Sequence, residues 1–173
     1  MKKVLVTGGL GFIGSNFILK SLEHDTDIFI TNVDAELYGS DHKNLTKIEN
    51  SDQYNFVKGN ISNKKFMEEQ IGKCDAIVNF AAESHVDRSI NDANPFLVSN
   101  IRGAFTILDI ITKQKKRMVQ ISTDEVFGSL SNDTADEQSK FNPSSPYAAT
   151  KAAAELLINS YAITFQSDVV ITR

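Results

Sequence analysis

Short, near-continuous apolar runs recur along this chain, and no other feature constrains its fold more. Lys3–Val6, Ile28–Val33, Ala76–Phe80, Met118–Ile121 and Val169–Thr172 are rich in β-branched residues, and Tyr54–Val57 is a shorter, weaker sixth. An uninterrupted apolar run of strand length suits a strand covered on both faces, as in a parallel sheet flanked by helices. Helical patterns fill the intervals at Phe12–Glu23, Asn63–Ile71, Pro95–Lys113 and Tyr147–Phe165. In the third, Phe105, Leu108 and Ile111 recur at helical spacing, and in the fourth Ala153, Leu156 and Leu157 do so. Pro146 stands just inside the start of the last pattern, with Ser144 and Ser145 as candidate caps. The alternation predicts βαβ units with right-handed crossovers, and hence an α/β doubly wound parallel sheet in the order 3-2-1-4-5-6.

A chain of 173 residues is long enough for one domain, and a hydrophobic share of 41% supplies one core. Residues 1–173 therefore read as a single unit. The net charge of −4 is too small and of the wrong sign for a nucleic-acid binder. No stretch approaches the ~20 apolar residues that span a bilayer, and the chain enters its first strand without a signal-peptide pattern, so a cytoplasmic protein is expected. Cys74, alone, makes neither an internal disulfide nor a thiolate metal site, and His24 and His42 lack partners at metal-ligand spacing. No metal is expected. The polar, turn-rich stretch Ser129–Ser145 exceeds a minimal connection and reads as a functional or mobile loop.

Gly8, Gly11 and Gly14 follow the first strand and open the first helix. Glycines there permit a tight turn and let backbone approach a pyrophosphate, whose charge then sits at a helix N-terminus. Asp34 follows the second strand, where a carboxylate accepts hydrogen bonds from ribose hydroxyls and repels a 2′-phosphate. Glycines after a strand also serve as plain turn residues. Strand, triplet, helix, second strand and acid together favour a Rossmann-type NAD site.

Tyr147 and Lys151 are four apart on one helix face. A tyrosine, with an ordinary pKa of about 10, becomes a base only when a neighbouring positive charge lowers that value. Lys151 is the expected source of that charge, with Thr123 orienting the same substrate oxygen. A solvated lysine beside a half-buried tyrosine is the rival reading.

TGGLGFIG and Tyr147-x-x-x-Lys151, with the strand pattern, resemble the extended short-chain dehydrogenase/reductase superfamily. FAAESHVDRSI (Phe80–Ile90), STDEVFG (Ser122–Gly128) and SPYAATKAAAE (Ser145–Glu155) more narrowly resemble the dTDP-glucose 4,6-dehydratases, along the N-terminal half of a member. The resemblance implies NAD held by Gly8, Gly11, Phe12, Ile13, Gly14, Asp34, Asn60, Ile61, Phe80, Ala81, Ala82, Ser84, Asn100, Tyr147 and Lys151. It implies Ser84 and Thr123 at the substrate. It further implies Tyr147 as base at the C4 hydroxyl, Glu125 as base at C5 and Asp124 as acid at the C6 oxygen. Two carboxylates can divide such roles when their surroundings differ. A UDP-hexose 4-epimerase needs neither, and it remains an alternative, as does a non-catalytic NAD-binding fragment. Family members pair as homodimers through the helices at 95–113 and 147–165, and carry a substrate domain expected here after residue 173. Asn60 stands where the family carries Asp, and Asp34–Ser40 departs from the family's continuation. His85 and Arg88 stay open between a role at the ligand and a loop histidine beside an arginine paired with Asp87.

Overall fold

A computed structural model describes residues 1–130 and 134–173. Residues 131–133 of the polar loop lie outside the described residues. Six strands, β1 (Lys2–Thr7), β2 (Ile28–Asp34), β3 (Tyr54–Lys58), β4 (Ala76–Asn79), β5 (Arg117–Ile121) and β6 (Val169–Thr172), form one sheet. Its order is β3-β2-β1-β4-β5-β6 and every pairing is parallel. The doubly wound arrangement expected from the apolar runs is present.

Helices α1 (Phe12–His24) and α2 (Lys64–Gly72) follow the early strands. Asn63 caps α2, its side chain accepting from the Phe66 N–H, and Ser145 caps α6 (Pro146–Phe165) by accepting from the Ala148 N–H. Between β4 and β5 the helical pattern breaks into pieces. A short α3 (Val86–Asn91) comes first, then α4 (Asn94–Phe96), a π-helical stretch Leu97–Gly103, and α5 (Ala104–Gln114). The pattern at 95–113 predicts one regular helix, and α3 is not anticipated at all. Where the stretch ends at Gly103, a Cβ would lie 2.4 Å from Ile61 Cδ1, so the helix passes close over Ile61 there.

Two apolar layers sandwich the sheet. Leu5, Ile77, Ile107, Ile111, Met118 and Ile158 belong to one, Val6, Ile18, Ile30 and Leu45 to the other. Alternate residues of β1 thus face opposite layers, as the period of two requires. Cys74 is buried, and burial pushes its thiol up to about 11.

Toward the carboxyl ends of the strands the interior turns polar. Thr7 Oγ1 donates to Asn79 Oδ1 (2.5 Å), and Asn79 Nδ2 donates to Gln120 Oε1 (2.7 Å), so one file of hydrogen bonds crosses β1, β4 and β5. All three residues are buried. Each unpaired buried polar group costs about 1–3 kcal/mol. Replacing Asn79 with Leu orphans both neighbours, and the expected loss is about 2–4 kcal/mol in urea unfolding with an unchanged slope.

Candidate active site

β1 ends at Thr7 and the chain turns at Gly8, whose φ of +72° is the left-handed conformation that favours glycine. A Cβ on Gly8 would lie 2.6 Å from Ala81 N, and one on Gly14 would lie 2.4 Å from Gly8 O. Neither backbone partner can yield. Gly11 is the N-cap of α1; no side chain caps the helix and its first turn holds no acid. Its leading N–H groups are therefore free for an anion.

A cleft of about 530 Å³ runs along this edge. Its walls include Gly8, Gly11, Phe12, Ile13, Gly14, Asp34, Asn60, Ile61, Phe80, Ala81, Ala82, Ser84, Tyr147 and Lys151. Phe12 and Ile13 are exposed at its mouth. The lining also holds His85, left open between a ligand role and a loop histidine, and residues the sequence does not point to, among them Tyr38, Ser40, Glu83 and Ser122. Tyr38 and Ser40 lie in the stretch that departs from the family's continuation. No pattern of period or spacing marks them.

Asp34 is buried at the end of β2 and already holds three donors: Leu10 N–H (3.0 Å), Glu36 N–H (2.9 Å) and Ser40 Oγ (2.7 Å). A carboxylate offers about four acceptor positions, so little capacity remains for a ribose hydroxyl. Asn60 accepts from the Ser62 N–H and hydroxyl, closing its own turn.

Asn100 is the one residue of the expected cofactor set that does not line the cleft. Its side chain is buried in the π-helical stretch, where Oδ1 accepts from the Glu83 N–H (2.9 Å). Nδ2 donates to Glu83 O (2.9 Å) and Thr150 Oγ1 (3.0 Å). It fastens the loop after β4 to α6. Arg88 pairs with Glu83 (2.8 Å) rather than with Asp87, and its guanidinium lies 4.3 Å from the Tyr38 ring centre. The Tyr38 ring in turn meets the His85 ring edge-on at 4.8 Å.

Tyr147 and Lys151 occupy the first turns of α6, 8% and 5% exposed. The Tyr147 N–H donates to Ser89 Oγ (3.1 Å), so the unanticipated α3 sets the height of the phenol. Burial pushes the phenol above its ordinary value; the charges of Glu125 and Asp124 push it the same way, while the Thr123 hydroxyl pulls it down. This corrects the expectation that Lys151 lowers it. Lys151 Nζ instead donates to Ile121 O (2.6 Å), and burial pulls the ammonium down to about 8, partly offset by the charge of Glu155.

Thr123 is the N-cap of a 3₁₀ turn, Asp124–Phe127, and accepts from the Glu125 N–H (3.2 Å). Asp124 and Glu125 are exposed on that turn, outside the cleft walls yet close enough for their charges to act on Tyr147. One phenol thus meets one hydroxyl and two carboxylates beside a glycine-walled cleft. Among the described residues, no group of three or more His, Cys, Asp or Glu side chains is placed to hold a metal, and no helix is long and apolar enough to cross a membrane.

The chain is 43% identical over 171 residues to the low-salt glycan biosynthesis protein Agl12 of Haloferax volcanii, covering 98% of this chain and 55% of that protein. It is 40% identical over 162 residues to the dTDP-glucose 4,6-dehydratase of Mycobacterium tuberculosis, covering 92% and 48%. The crystal structure of the dTDP-glucose 4,6-dehydratase DesIV of Streptomyces venezuelae, with NAD bound, superposes with a TM-score of 0.95 at 39% identity, covering 99% of this chain and 55% of that one. The chain thus spans about half the length of these relatives. Residues 5–173 match the GDP-mannose 4,6 dehydratase family, and the chain belongs to it.

Proposed function

We propose that this chain is the NAD-binding half of a cytoplasmic nucleotide-sugar 4,6-dehydratase acting on dTDP-glucose. The observation that carries the proposal is that Tyr147 lines the glycine-walled cleft while Thr123, Asp124 and Glu125, on the turn just outside it, act on the same phenol. The names of the relatives and the NAD in the superposed dehydratase support it.

The cleft suits a dinucleotide. Its glycines would be filled by any side chain, and the uncapped start of α1 offers N–H donors to a diphosphate. Asp34, buried at the end of β2 and negatively charged, disfavours a second anion such as a 2′-phosphate beside it. When bound, NAD takes up and later returns the two electrons and hydrogen of a sugar C–H bond. The chain's own residues move the protons. Tyr147 accepts the C4 hydroxyl proton, with Thr123 holding that oxygen in line. Glu125 removes the proton from C5 and gives it back there once C6 has been reduced, and Asp124 protonates the departing C6 oxygen, so one water leaves and the sugar undergoes no net oxidation by an outside oxidant. An epimerase has no work for the last two groups.

Burial leaves the phenol protonated at neutral pH, so it accepts a proton only when positive charge is brought beside it. Lys151 would supply it only on turning from the Ile121 carbonyl toward the phenol, and it stays charged only below about pH 8. Activity is therefore expected to fall as pH rises through about 8.

A second copy of the chain is the proposed partner. Leu97, Phe105, Leu156, Ile163 and Phe165 leave large apolar surface on the helices spanning 95–113 and 147–165. Ile163→Asp is expected to halve the mass observed in analytical ultracentrifugation; an unchanged mass excludes this face.

Two further experiments bear on the chemistry. In the protein that carries this chain, dTDP-glucose should yield a product lighter by one water, and Tyr147→Phe should slow its formation on the order of 10²–10⁴-fold. A product of unchanged mass would favour the epimerase. Carbon-13 NMR of labelled lysines should show Lys151 titrating near 8, well below the surface lysines, and a midpoint above 10 would refute its burial-driven shift.

A further inference from the structure

Glu155 lies one helical turn beyond Lys151 on α6 and is completely buried. Its carboxylate accepts from the Ser122 hydroxyl and from the Arg173 guanidinium, whose Nε lies 3.1 and 3.0 Å from its two oxygens. A second guanidinium nitrogen, Nη2, also donates to it. The Arg173 side chain is itself mostly covered, at 19% exposure. Two charges taken out of water rarely stabilise a fold better than apolar groups of equal size, so their use here calls for a role in geometry.

That geometry leads to the acid pair. The Arg173 guanidinium lies 5.2 Å from the Phe127 ring centre and 5.5 Å from that of Phe141. Phe127 ends the 3₁₀ turn bearing Asp124 and Glu125, and with Val126 it packs on Ala152 of α6. Ser122 lies immediately before Thr123. Glu155 therefore grips both ends of the segment 122–127, one through Ser122 and the other through Arg173.

We propose that Glu155 is a positioning residue, fixing the Asp124–Glu125 turn against α6 and so setting the distance between both acids and Tyr147. This role rests on the dehydratase reading, because only that reaction uses the acids and the phenol together. The charged groups that face Glu155 are Arg173, from the end of β6, and Lys151, one turn away on its own helix.

The test is Glu155→Gln, which keeps size and a hydrogen bond to Ser122 but removes the charge that holds Arg173. In the ligand-free protein, amide hydrogen exchange of Val126–Gly128 should accelerate roughly ten- to a hundredfold while β1 and β4 exchange as before. In the whole protein, kcat should fall by a similar factor with KM and NAD affinity little changed, since a small misplacement of reacting groups costs up to on the order of 10²-fold. Glu155→Asp should restore part of both. Faster exchange throughout the sheet would make Glu155 a plain stabiliser of the fold and overturn the proposal, as would a loosened turn with kcat intact. If the Gln variant does not fold, Ser122→Ala, which removes one grip, is expected to loosen the same turn; unchanged exchange there would overturn the proposal. The dehydratase reading fails separately, if the wild-type protein binds no NAD.

Discussion

The site depends on one close approach of backbone to backbone. Gly8 passes so near the end of β4 that any Cβ would lie within 2.8 Å of Ala81 N, Ala81 Cα and Phe80 C, and Gly14 brings the first turn of α1 down onto Gly8 O. Gly9 completes the contact from the other side: a Cβ there would collide with Asn32 Oδ1, which instead accepts the Gly9 N–H at 3.1 Å. Three glycines thus seat the start of α1 directly over the carboxyl ends of the central strands. A helix terminus held there without a side-chain cap keeps its positive end and its free donors turned toward the cleft. Any side chain at these positions would push the helix away and fill the space a diphosphate needs.

The other wall of the cleft is held by polar contacts, and its aim is set from a distance. Tyr147 and Lys151 are carried by α6, but the register of α6 depends on Ser89 at the backbone of Tyr147 and on Asn100 at Thr150. Asn100, which reaches both Glu83 and Thr150, sits where the helix bearing it is wound as π. Widened turns of this kind recur at functional sites, where a side chain must be re-aimed without ending the helix. The file from Thr7 through Asn79 to Gln120 plays the same part in the sheet, locking the relative heights of β1, β4 and β5 just below the cleft.

These arrangements were legible in the sequence to different degrees. The strands could be read because apolar runs between helices admit few other folds, and the glycine spacing located the cleft because the turn has few other uses. The pairs could not be read. Nothing near Asn100 in sequence shows that it meets residues 83 and 150, and nothing near Arg88 distinguishes Glu83 from Asp87 as its partner. The sign of the Tyr147 shift was also hidden. Spacing of four along a helix suggests that lysine and tyrosine share a charge, yet Lys151 turns to the Ile121 carbonyl, and burial then moves the phenol upward. Spacing reports which residues are neighbours, while burial decides what each neighbour does to the other.

That distinction divides the chemistry of the site into a dry part and a wet part. Tyr147 and Lys151 are buried, so a charge on either is felt strongly by the other groups around them. Asp124 and Glu125 stand in water on a 3₁₀ turn. One of them can act as acid and the other as base only when their surroundings become unequal. The turn that carries them is short, so covering one acid more than the other requires only a small difference in where each points. The rigidity of that turn is then as important as the acids themselves. A fixed turn holds each carboxylate in its own surroundings, whereas a loose one would let them exchange places.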